Sequence, residues 1–138
     1  MWLFSETGFV SAVVDPTNKN NIVVRARDKK SLEPLMKFAK VKMSYPKRAT
    51  DYPHRVIVTR QQYADWTLSL IEQMQYTNYK TQVTKTRGSD FAHPLHEVWA
   101  TMLQLEEGYQ KPSYRGKGSW TYQDTQELWD EYPSLRGR

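Results

Sequence analysis

The chain has 138 residues, 38% of them hydrophobic and 13% aromatic, enough for one domain with a substantial core. It holds no cysteine, which excludes disulfides, thiolate metal centres and thiol nucleophiles. The net charge of +5 is unevenly spread: residues 19–60 carry twelve Lys/Arg against three Asp/Glu, and residues 61–107 carry three against six, so an anionic partner is favoured for the first block.

The N-terminal stretch MWLFSETGFVSAVV is apolar, but it lacks a basic leader and is interrupted by Glu6 and Gly8. It does not read as a signal peptide. No run approaches the length of a membrane span. The expectation is a soluble protein of a reducing, cytoplasmic compartment.

Residues 9–14 (FVSAVV) alternate as a strand, and DPTNKNN follows as a polar turn. Residues 22–27 (IVVRAR) form a second strand. Their period of two sets Ile22, Val24 and Ala26 on one face and Val23, Arg25 and Arg27 on the other. In SLEPLMKFAK, Ser31 is a candidate N-cap, and Pro34 falls in the first turn, where its missing N–H is harmless. VKMSY (41–45) is expected to be a third strand. A basic loop bounded by Pro46 and Pro53 comes next, and RVIVT (55–59) is a fourth strand with Val56 and Val58 buried.

Thr59 and Gln62 make a capping box for the next helix. Its stripe of Tyr63, Trp66, Leu70 and Met74 fades at YTNYK. The segment 76–88 then reads as a helix end plus a loop, in which Asn78 caps, Tyr76 and Tyr79 cover the core edge, or Tyr79 and Lys80 face a ligand. A last core helix begins near Asp90, with Phe91, Leu95, Val98, Met102 and Leu105 as its stripe. The order ββαββαα implies an α+β fold, a four-stranded antiparallel sheet with helices on one face. That domain covers residues 1–107. Residues 108–138 form a Gly-, Pro- and aromatic-rich tail with a short amphipathic helix at about 121–132.

Catalytic motifs are lacking: there is no G-x-S-x-G, no phosphate-binding glycine loop and no G-x-G-x-x-G. No catalytic residue, metal or cofactor is assigned. His93, His96 and Glu97 share one side of a helix, which would suit a metal, but histidines and acids in a first turn usually face solvent. In DYPHR, Asp51, His54 and Arg55 could serve acid–base chemistry; the preferred reading is a loop-to-strand corner, with Tyr52 packed, Pro53 as the kink and Asp51 capping or paired to an arginine.

The candidate anion- or nucleic-acid-binding residues are Arg25, Arg27, Lys47, Arg48, Arg55 and Lys80, with Tyr45, Tyr52 and Phe4 nearby to stack bases. There is no RNP-type pattern, and the aromatics do not fall at obvious sheet-face positions. Arginine on a strand is also common as a solvated face. The tail supplies a second set, Tyr114, Trp120, Tyr122, Trp129 and Tyr132, of the residue types that anchor protein interfaces.

Five stretches taken together, MWLFSETGFVSAVV, NIVVRARD, DYPHRVIVTR, YTNYKTQV and AHPLHEVWATML, resemble a family of small uncharacterised proteins of tailed phages, with relatives in some bacteria. The resemblance covers about residues 1–107 and leaves out the tail. It implies expression in a bacterial cytoplasm and supplies no activity. On that basis the first expectation is a non-enzymatic accessory protein that binds and modulates a host macromolecule, counter-defence being one form of that role, through its basic face and aromatic tail. The alternatives are a nucleic-acid or nucleotide binder at Arg25, Arg27, Arg55 and Lys80, and a metal-independent nuclease or phosphodiesterase. No membrane partner is expected.

Overall fold

The computed structural model describes residues 1–46 and 50–109. They belong to two compact units, one of Met1–Arg87 and a second that begins at Gly88. The first unit carries strands β1 (Trp2–Ser5), β2 (Gly8–Val14), β3 (Asn21–Ala26) and β4 (His54–Thr59), which form one antiparallel sheet in that order. Its helices are α1 (Glu33–Ala39), α2 (Arg60–Glu72) and α3 (Tyr79–Arg87). The described part of the second unit is α4 (Ser89–Met102) and a 3₁₀ turn at Leu103–Leu105.

The α+β class and the four-stranded antiparallel sheet are as expected, but the order of elements differs in three places, one of them helix α3. Residues 2–5 supply a strand that was not anticipated. Residues 41–45, expected to be the third strand, make only one bridge, Ser44 to Arg55. The loss of the strand at 41–45 has a local cause. Lys40 closes α1 in the left-handed region at φ 55°, and Pro46 brings no N–H to a ladder, so the segment has room for one bridge only. The alternation of its side chains survives, because Val41 and Met43 still pack against the core.

The core lies on one sheet face. Val10, Ala12, Ile22, Val24, Ala26, Val56 and Val58 point into it and meet Leu32 and Leu35 beside α1 and Tyr63 and Trp66 on α2. The alternation expected of β3 is observed, with Ile22, Val24 and Ala26 buried and Arg25 only partly so. The capping box of α2 is present: the Gln62 N–H donates to Thr59 Oγ1 at 3.1 Å, and the Thr59 N–H donates to Gln62 Oε1 at 2.9 Å. The turn after β2 is closed by Asp15, which accepts from the backbone and hydroxyl of Thr17 at 2.9 and 2.7 Å.

Ser31 does not cap α1. Its hydroxyl donates to Asp28 at 2.7 Å, and the helix starts after Leu32 without a side-chain cap. The segment expected as a loop after YTNYK is helix α3. Asn78 caps it, its Oδ1 accepting from the Thr81 N–H at 3.0 Å. Three threonines made it read as non-helical, but Val83 is fully buried, and that packing outweighs propensity. α4 begins at Ser89, so Asp90 sits in its first turn instead of at the cap. Its covered side also differs from the expected stripe: Ala92 is buried, whereas Val98, Met102 and Leu105 are exposed.

Candidate anion-binding face

The register of the sheet sets the second face. Cross-strand partners run Trp2–Ser11–Arg25–Arg55 across all four strands. A neighbouring rung pairs Phe4 with Phe9, and on the other side Val13, Val23 and Ile57 are partners in turn. Side chains alternate along a strand, so these residues share the face opposite the core. The β1–β2 half is aromatic, and the β3–β4 half is cationic.

The cationic half is organised around Tyr52, which is 5% exposed. The guanidinium groups of Arg25 and Arg27 lie over its ring at 4.9 and 5.0 Å from the centroid. Its carbonyl accepts from Arg55 Nε at 3.3 Å, and Thr50 Oγ1 accepts from Arg55 Nη2 at 3.0 Å. Arg25 Nη2 also donates to Ser11 Oγ at 2.9 Å. Tyr52 therefore packs, and it does so by collecting three arginines.

What is missing around them decides how the face behaves. Among the described residues no carboxylate forms an ion pair with Arg25, Arg27 or Arg55. Asp51, the obvious internal candidate, is exposed and makes no such pair. Arg25 and Arg55 are also direct cross-strand partners. The Arg55 backbone N–H and carbonyl are used by Ser44 at the outer edge of β4, so the Arg25–Arg55 pair is a non-hydrogen-bonded one, in which side chains stand closest. Like charges opposed in that way are destabilising by some tenths of a kcal/mol to about 1 kcal/mol. Buried Arg25 Nε has no acceptor among the described residues, which adds to the cost.

The remaining candidates lie elsewhere. Lys80 is on α3, partly buried, and burial lowers its pKa. The helix around it reaches the β1–β2 turn: the Tyr79 hydroxyl donates to the Ser5 carbonyl at 3.4 Å, and burial pushes that hydroxyl up to about 12. Lys47 and Arg48 and the tail set Tyr114, Trp120, Tyr122, Trp129 and Tyr132 lie outside the described residues. Tyr45, proposed to stack bases, is exposed and packs edge-on against His54 at 6.1 Å. In α4, His93 Nδ1 faces Glu97 at 3.7 Å; among the described residues no group of three His, Asp or Glu is placed to hold a metal ion.

The chain matches no family model, no curated protein and no solved structure.

Trp2 and Phe9 were not among the sequence candidates. The signal that could have found them is the alternation of Trp2, Phe4 and Phe9 about the turn at Glu6 and Thr7, which needs residues 2–5 to be recognised as a strand. A second feature of the first unit is an apolar groove of about 530 Å³ lined by Leu3, Phe38, Trp66, Leu70, Ile71 and Met74. Among the described residues no helix is long and apolar enough to cross a membrane.

Proposed function

We propose that the protein is a binding module for a polyanion, nucleic acid in the first instance, and that Arg25, Arg27 and Arg55 are its phosphate contacts. The observation that carries this is the Arg25–Arg55 cross-strand pair, two arginines on one non-hydrogen-bonded rung with no carboxylate partner among the described residues. A solvated face would be built by spacing such charges apart or opposing them with acids. A phosphate between the two guanidiniums turns their repulsion into attraction and uses their forked donor geometry. The accessory role implied by the phage resemblance is compatible with such a module, the host macromolecule then being a nucleic acid or a complex that contains one.

Affinity for a single-stranded oligonucleotide should fall by roughly two decades for a tenfold rise in salt if three phosphates are neutralised. The double substitution Arg25→Ala/Arg27→Ala should remove more than half of that slope. Unchanged affinity and slope in the double variant would rule the site out. A protein partner seated on the apolar groove is the second reading, favoured by the exposure of Phe38, Ile71 and Met74. The two separate cleanly, since capture through an apolar groove persists at high salt.

A further inference from the structure

We infer that the ligand of the sheet face is single-stranded nucleic acid and that Trp2 is the platform on which an unpaired base stacks. This rests on the polyanion reading of the arginines and extends it to the aromatic half of the same face. Three rings stand there, and two of them occupy each other: Phe4 and Phe9 stack with centroids 4.5 Å apart and planes 24° apart. The third is available. Trp2 meets Phe9 edge-on, at 5.4 Å and 83°, and 63% of the residue stays exposed.

The position of Trp2 is set by backbone. Met1 and Ala12 exchange hydrogen bonds in both directions at 2.8 Å, so the adjacent Trp2–Ser11 pair is non-hydrogen-bonded and its side chains stand close together on the face. The indole is therefore a large apolar surface held in place by Phe9 and its strand, and exposed to water. Covering it with another apolar plane is favourable. Trp2 and Arg25 are two strands apart on one rung, which puts their Cα atoms about 10 Å from each other. A strand that stacks a base on Trp2 can lay its phosphates towards Arg25 and Arg55.

A duplex cannot use both halves of the face in this way. Its bases are stacked on each other and present only their edges in the grooves. An unpaired base has a free π-face, and stacking on an aromatic side chain is tolerant of sequence. The combination of an exposed indole with arginines that pair with no acid among the described residues thus selects single strands of either sugar.

The test compares three labelled ligands on the full chain at low salt. They are an oligothymidylate of about 12 nucleotides, an abasic phosphodiester chain of equal length and charge, and a duplex of the same length. The thymidylate is expected to bind about tenfold more tightly than the abasic chain. Trp2→Ala should bring it down to the abasic level without changing the salt slope, and Trp2→Phe should keep most of the gain. Circular dichroism and the melting temperature of Trp2→Ala should match the unaltered protein, since the side chain is exposed. Equal binding of thymidylate and abasic chain by the unaltered protein overturns the inference whatever the variants do, as does a duplex that binds as tightly as the single strand. In either case salt-sensitive binding would leave the arginine reading standing. If none of the three binds, that reading falls first and this inference with it.

Discussion

Gly8 shows how closely residue identity is tied to packing in this protein. It opens β2 directly against Ser31, and a Cβ placed there would lie 2.2 Å from Ser31 Oγ and 2.8 Å from its backbone Cα. Backbone cannot move aside as a flexible side-chain tip can. Gly8→Ala should therefore cost about 1–3 kcal/mol, the usual penalty of overpacking, measurable as a lower urea midpoint with unchanged slope. The contact also explains why Ser31 is unavailable as a helix cap. Its hydroxyl donates to Asp28 and accepts from the Phe9 N–H at 3.2 Å, so a residue that reads as a local signal is used for a long-range one. Tyr52 is the counterpart on the other face. From sequence it fits either a stacking platform or a packed corner, and the two arginines over its ring resolve that ambiguity towards packing.

At the level of elements, the start of α2 was legible because a capping box is made within four residues and needs nothing from the rest of the chain. Thr59→Ala removes one half of it and should lower stability by about 1 kcal/mol in thermal or urea unfolding. Thr59 is exposed, so no packing loss complicates the reading. Helix α3 is the opposite case. Thr81, Thr84 and Thr86 argue against a helix on propensity, and its formation depends on burying Val83 and on tying its two ends, Tyr79 to Ser5 and Arg87 to Thr7. The β1 strand was missed for a related reason. Four residues that include two large aromatics give too short a run for periodicity to separate a strand from an apolar leader, and β1 exists because β2 offers it a partner.

Within the first unit, an ion pair with its hydrogen bonds joins residues far apart in sequence. Arg87 donates to Asp28 at 2.8 Å and to Ser31 at 3.3 Å, and also to the Thr7 carbonyl. Burial works against the Asp28 carboxylate, but the hydrogen bonds from Ser31 and the charge of Arg87 prevail and hold its pKa below the usual 3.8. A group whose folded pKa is depressed stabilises the fold above its unfolded value and loses that contribution as pH falls through the folded one. The stability difference between the protein and Asp28→Asn should thus be full at neutral pH and shrink below about pH 4, as read from denaturant titrations at several pH values. A difference that stays constant down to pH 2 would mean that the charge of Asp28 contributes nothing. By itself, the sequence determined what depends on near neighbours: the α+β class, the alternation of β3 and β4, the α2 cap, the turn at Asp15 and the concentration of basic charge in residues 19–60. Tertiary structure decided which residues of different strands stand together on a face. Register placed Trp2, Ser11, Arg25 and Arg55 on one rung; hairpin turns set the first two pairings locally, but β3 and β4 are separated by residues 27–53, and only their tertiary pairing puts Arg55 opposite Arg25.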